Sequence, residues 1–409
     1  MAVRAVIFDY KTLTDLGHQA AIDARELVHG LGTRGIDWVL FSTDPLTEHQ
    51  RGEMTGYPEP AAHIRHADVP SGKRRGSPDW IDVVTDKLDI ARNELLYVGQ
   101  SNLDWRTAIN SGVLYVHALW SARIPGGVTA LAAENPGDIA EILDDYLSDA
   151  PIWSHQLDQA SWSLRSLLPA SAVLPSTRPK SQFDLKDVFT YDRRIEVGSE
   201  EARDLLMFTV LASAYLEGLI PANPYICVYP SSKVGVVSER LATYLDKATR
   251  LFHGYYREDL LVRGTAAMDT SRERAAARRA GRMANVSIAT QATTVHIGAK
   301  YKGKLAGKTV VVFDDFTTHG QSLEWARILL EAAGVNRVVM LTVGKYGSRH
   351  TRYELNAPGK LDPYTLNSLT PADFREVILS PQHDGTAEER TRKILQAAID
   401  RSRQQQPSS

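Results

Sequence analysis

The sequence predicts an α/β protein built from two parallel-sheet domains. Three observations carry that reading. The chain has 409 residues, too long for one ordinary hydrophobic core. Short continuous apolar runs alternate with helical stretches, the pattern of a parallel sheet covered on both faces. The alternation comes in two blocks, separated by a serine-rich stretch punctuated by Pro151, Pro169, Pro175 and Pro179.

In the first block, Ala5 to Phe8, Trp38 to Phe41, Leu95 to Val98 and Leu114 to Val116 read as buried strands. Helices are predicted between them, for example His18 to His29, and again from about Pro136 to Leu147. Residues 1–149 form this domain. Residues 150–195 read as a linker or wrapping segment, with Trp153 and Trp162 suited to packing on a surface. In residues 196–380, Glu200 to Leu219, Ser238 to Leu251 and Ser322 to Ala333 read as helices. Tyr225 to Tyr229, Thr309 to Phe313 and Val338 to Val343 read as strands. Residues 381–409 read as a charged amphipathic helix with a polar tail.

Bulk composition narrows the function. The 47 basic and 49 acidic residues leave a formal net charge of -2, so no overall field favours nucleic acid or an anionic membrane. Apart from Cys227 there is no cysteine. That excludes an intramolecular disulfide and a thiolate metal cluster, and suits a reducing compartment. No stretch approaches the roughly 18 apolar residues of a membrane span. The expectation is a cytoplasmic protein.

The sharpest chemical signal is the run from Val310 through Phe313 to Asp314, Asp315, Phe316, Thr317, Thr318, His319, Gly320, Gln321 and Ser322. A buried strand delivers two carboxylates, a loop of small hydroxyl residues follows, and a helix begins. Loop amides and a helix N-terminus make an anion site, and Gly320 allows close backbone approach. Asp314 and Asp315 would repel a phosphate, so they serve something neutral or cationic beside it. Ribose hydroxyls and Mg²⁺ both fit.

This run resembles the PRPP (phosphoribosyl pyrophosphate) loop of type I phosphoribosyltransferases, with His319 and Ser322 where that family usually has threonine. The resemblance implies that Asp314 and Asp315 contact the ribose hydroxyls. It implies that Thr317, Thr318, His319, Gly320, Gln321 and Ser322 hold the 5′-phosphate. It places pyrophosphate against Ser231, Ser232 and Lys233, after the Tyr225 strand. A mobile cover would carry Arg272, Arg274, Arg278, Arg279 and Arg282, with Arg282 among the catalytic residues. Lys345, Tyr346 and Gly347 are candidate acceptor contacts. Mg²⁺ is expected with PRPP, held largely by substrate oxygens and water. A homodimer is a further implication.

Residues 1 to about 147 resemble the HAD superfamily of phosphatases, giving two Rossmann-like domains in all. Asp9 stands at the nucleophile position, Ser42 and Thr43 at the second motif, and Tyr97 to Asp104 at the fourth. The pattern departs from the family at the catalytic positions. Lys11 replaces the acid–base aspartate, and a protonated lysine cannot take a proton from water. Gln100 replaces a metal-binding aspartate, and Ser77 stands where a lysine precedes the Pro-Asp pair. A degenerate site follows, with Asp9 ion-paired to Lys11.

The expected function is transfer of the phosphoribosyl group of PRPP to a nucleobase or other small acceptor, with release of pyrophosphate. Two alternatives stand beside it. One is a non-catalytic sensor of PRPP or nucleotides; the other is a bifunctional enzyme whose first domain removes the phosphate.

Overall fold

The computed structural model describes residues 2–128, 130–147, 149–177, 181–248, 254–267, 279–280 and 287–405. The chain divides into two compact units. The first comprises Met1–Pro151, Leu211–Asn223 and Lys247–Gly254; the second comprises Ile152–Val210, Pro224–Asp246 and Tyr255–Ser409.

The first unit is a mixed α/β fold around a six-stranded parallel sheet. Its strands are β1 (Ala5–Asp9), β2 (Asp37–Phe41), β3 (Ala62–Ile64), β4 (Leu95–Gly99), β5 (Leu114–Ala118) and β6 (Leu131–Ala133). They lie in the order β3-β2-β1-β4-β5-β6, all parallel. All five residues of β1 are buried, as are those of β4 and β5, which is why these strands read as unbroken apolar runs. The strand order reverses between β1 and β4, where open parallel sheets place ligands. The helices that matter here are α1 (His18–Thr33), α2 (Asp79–Leu88) and α3 (Asn102–Asn110). Tyr215 anchors a later segment to this unit by donating to the carbonyls of Leu95 at 2.6 Å and Arg92 at 2.9 Å.

The second unit has a seven-stranded sheet. It is built from β7 (His155–Asp158), β8 (Trp162–Pro169), β9 (Tyr225–Val228), β10 (Tyr255–Tyr256), β11 (Thr309–Thr317), β12 (Arg337–Lys345) and β13 (Gln382–His383). The order is β10-β9-β11-β12-β8-β7-β13. The first five in that order run parallel, while β7 pairs antiparallel with both β8 and β13. Helix α4 (Gln321–Ala332) buries Leu323, Trp325, Leu329 and Leu330 against a core that includes Val310, Val312 and Met340. A charged helix, Ala387–Gln405, lies near the C-terminus.

The segment read as a linker contains β8, a buried strand of this sheet paired with β12 from Val338↔Trp162 to Lys345↔Pro169. Its polar residues hid it. Ser163, Arg165 and Ser166 are buried, and Arg165 is neutralised by both oxygens of Asp158 at 2.9 Å. Strands β3 and β6 also escaped the sequence reading, because three residues carry no usable alternation. Among the described residues, no helix is long and apolar enough to cross a membrane.

Candidate functional site

Each unit places a pair of aspartates at the carboxyl ends of its parallel strands. In the second unit, β9 and β11 are neighbours with Val228 opposite Phe313, and the amide of Tyr229 donates to the carbonyl of Phe313 at 2.8 Å. The Pro230–Lys233 loop therefore leaves the sheet beside Asp314 and Asp315, which lie on the adjacent strand. The Asp315 amide donates to Asp314 Oδ1 at 3.0 Å, and the Phe316 amide donates to Asp315 Oδ1 at 2.7 Å. Burial first, then the Asp315 charge, holds the Asp314 carboxyl well above the usual carboxylate range, and Arg263 opposes this.

The strand does not stop at the acidic pair. Phe316↔Gly344 and Thr317↔Lys345 continue the ladder, so Thr317 is a buried strand residue and not part of the loop expected from the sequence. The turn is reduced to Thr318, His319 and Gly320. Gly320 sits at the helix N-cap with φ +89°, and its carbonyl accepts from the Glu324 amide at 2.7 Å. Gln321 and Ser322 are the first helical residues, both half-buried. A side chain at Gly320 would collide with the His350 ring. That ring is fully buried, bonded through Nε2 to Glu324 Oε1 at 3.0 Å, with Nδ1 lacking a partner. Glu324 Oε2 in turn accepts from Arg327 Nη2 at 2.8 Å and from the Tyr353 amide at 3.0 Å.

Thr318 and His319 line a pocket with Tyr346, Gly347, Ser348 and Arg349. Beneath it, the buried Lys345 donates from Nζ to the carbonyls of Thr318 and Arg349, both at 2.8 Å. Burial pushes its ammonium down to about 8. Lys345 is thus a support of the Thr318–Gly320 turn.

In the neighbouring loop, Ser231 and Ser232 are half-buried and Lys233 is exposed. The Ser231 amide donates to Val236 O at 2.9 Å, and the Ala267 amide donates to Ser232 O at 3.0 Å. The loop's main support is a residue that sequence reasoning missed. Arg263, buried, donates through Nε to Ser231 O, and through Nη2 to Pro230 O at 3.3 Å and Gln291 Oε1 at 3.2 Å. No motif flags it, since the loop carbonyls it holds are 32 and 33 residues away. Arg282, Arg272, Arg274 and Arg278 lie outside the described residues.

In the first unit, Asp9 ends β1 and Asp104 opens α3, across the reversal of strand order. Both are buried. Lys11, expected to pair with Asp9, does so only through its backbone amide, which donates to Asp9 Oδ1 at 3.1 Å. Its side chain is exposed, because the turn Tyr10–Thr12 directs it outward over the Tyr10 ring. The true partner is Arg75. Its Nη1 lies 2.5 Å from Asp9 Oδ2, and its Nη2 meets both Asp104 Oδ1 and, at 2.7 Å, the Tyr97 hydroxyl. Tyr97 also donates to Asp104 Oδ1 at 3.0 Å. The Gln100 amide, the Ser101 amide and Ser101 Oγ donate to Asp104 Oδ2 at 3.1, 3.0 and 2.7 Å.

The carboxamide oxygen of Gln100 accepts from Ser121 Oγ at 2.9 Å. Ser42 is buried, bonded to Asp44 O and to His63 Nε2, each at 2.8 Å. Thr43 is exposed. All four carboxylate oxygens of Asp9 and Asp104 thus have donors already. As it stands, this set does not fit a divalent cation. Asp15, His49 and Glu53 also bring three potential ligand atoms together, but Asp15 and His49 are exposed and the group belongs to neither aspartate pair.

No protein-family profile matches the chain, and no curated protein matches it. Solved structures are similar to parts of it. An uncharacterized protein from Corynebacterium glutamicum is 19% identical over 28% of this chain and 84% of its own, with a TM-score of 0.24. A HAD-superfamily hydrolase of subfamily IA from Geobacter sulfurreducens is 15% identical over 35% of this chain and 100% of its own, with a TM-score of 0.27. A HAD-superfamily hydrolase from Ehrlichia chaffeensis is 19% identical over 33% of this chain and 63% of its own, with a TM-score of 0.24.

Proposed function

We propose that the second unit binds PRPP and transfers its phosphoribosyl group to a nucleobase or other small acceptor, releasing pyrophosphate. The observation that carries this reading is one sheet edge holding two loops side by side. One follows the strand that carries the aspartate pair and runs into the Gly320 helix start; the other has Ser231, Ser232 and Lys233. A sugar bearing a phosphate at one end and a pyrophosphate at the other needs those two anion contacts, with hydroxyl partners between them. Asp314 and Asp315 contact the ribose hydroxyls between those two anion contacts. Amides at the start of α4, with Thr318 and Ser322, hold the 5′-phosphate.

In the reaction, the acceptor's lone pair forms a bond to ribose C1 as the bond from C1 to the pyrophosphate oxygen breaks. The protein's part is positioning and charge stabilisation. Asp314 and Asp315 would be the residues to help hold a Mg²⁺, which would supply charge neutralisation at the pyrophosphate. The first unit we read as HAD-like on its motifs and strand order, with a site unfit for phosphatase turnover.

The test is pyrophosphate release from PRPP and Mg²⁺ across a panel of bases and aromatic amines, with Asp314→Ala/Asp315→Ala as control. Acceptor-dependent release that disappears in the control supports transfer. The exposed side chain of Lys233 favours a second reading, binding without transfer. PRPP binding with no release under any acceptor would establish that one.

A further inference from the structure

We infer that Arg75 takes the place of a divalent cation in the first unit, and that a metal site lies latent beneath it. Two buried carboxylates from different elements, Asp9 at the end of β1 and Asp104 at the start of α3, converge on one cation. That cation is a side chain of the same chain. Its guanidinium spans Asp9 Oδ2 and Asp104 Oδ1, and its residue is only 9% exposed, so solvent ions do not compete for the pair.

Mg²⁺ or Mn²⁺ binds through oxygen donors in a compact shell. The donors are present, but their inward-facing lone pairs are already taken by N–H groups. Two carboxylates against one guanidinium leave a single formal negative charge. The remaining oxygen of Asp104, at the N-terminus of α3, is stabilised by three donors. The arrangement is complete without an added ion. The inference does not depend on the PRPP reading, because it concerns different residues in a different unit.

Removing the guanidinium while keeping the carboxylates leaves two buried anions facing one another. A divalent ion then restores the balance. The experiment is Mn²⁺ titration followed by electron paramagnetic resonance, on the full chain and its variants. The wild-type chain and Asp9→Asn should bind the same number of Mn²⁺ ions, because Arg75 excludes the ion from this site in both. Arg75→Met should bind one more ion per chain than wild type, and Arg75→Met/Asp9→Asn should lose it. A wild-type chain that binds one more Mn²⁺ than Asp9→Asn would overturn the inference, as would a folded Arg75→Met with no added ion. If Arg75→Met does not fold, the comparison of wild type with Asp9→Asn still decides whether Arg75 excludes the metal.

Discussion

The two aspartate pairs occupy equivalent places and have opposite fates. Asp9 and Asp104 sit at the carboxyl edge of one parallel sheet, Asp314 and Asp315 at the carboxyl edge of another. The first pair is spanned by Arg75 and wrapped by backbone amides. The second pair crowds its own charges, and Asp314 is pushed well above the carboxylate range. A carboxylate pair with an internal counter-cation is a structural element. A crowded pair beside a pocket and a helix start, with one carboxyl held above its ordinary range, fits a ligand site better. Position on a fold does not by itself assign function.

The largest expected effect breaks the first pair. Arg75→Ala should destabilise the protein by about 3–5 kcal/mol, as removal of one partner from a buried ion pair does. Chemical denaturation measures it. A cost under about 1 kcal/mol would mean that the pair is hydrated, and the contrast between the two sites would weaken.

A smaller effect sharpens the second site. Gly320→Ala forces a side chain into a left-handed backbone with φ +89° and into the His350 ring. The backbone term alone is about 1–2 kcal/mol, and the displaced helix start should weaken phosphate binding as well. Unchanged ribose 5-phosphate affinity in this variant would show that the turn does not contact the phosphate.

The smallest effect is a pH dependence with two opposite signs. Burial pushes the Lys345 ammonium down to about 8, below its ordinary value of about 10.4. Between these values the unfolded chain binds more protons, so stability should rise with pH across that window. If the Thr318–Gly320 turn holds the phosphate as proposed, ligand affinity should fall as pH rises through about 8, by about tenfold, because a charge beneath that turn is lost. Lys345→Met should flatten both curves. A binding curve that keeps its inflection in this variant would assign the titration elsewhere.

Much of this was legible from sequence, for a physical reason. The strands β1, β4, β9 and β11 are unbroken apolar runs because both sheet faces are covered, and the aspartates are conspicuous because they end such runs. The cations that decide the two sites were not legible. Arg75 lies in a polar stretch between Gly72 and Pro78, and its partner Asp9 is 66 residues away. Arg263 and Lys345 support their loops through backbone carbonyls, which no side-chain pattern reports. Strand β8 was hidden by Arg165, whose charge is cancelled by Asp158 only once β7 and β8 pair. Local propensity finds elements, but neutralised buried charges appear only with the tertiary fold.

The measurement that tests the central claim most directly is calorimetric titration of PRPP with Mg²⁺ into the full chain and into Asp314→Ala/Asp315→Ala. The account predicts saturable binding to the full chain, weakened by about a hundredfold or more in the variant, since two hydrogen-bonding side chains are lost. Asp9→Asn should bind like wild type. No binding to the wild-type chain, or equal binding to wild type and the double variant, would contradict it.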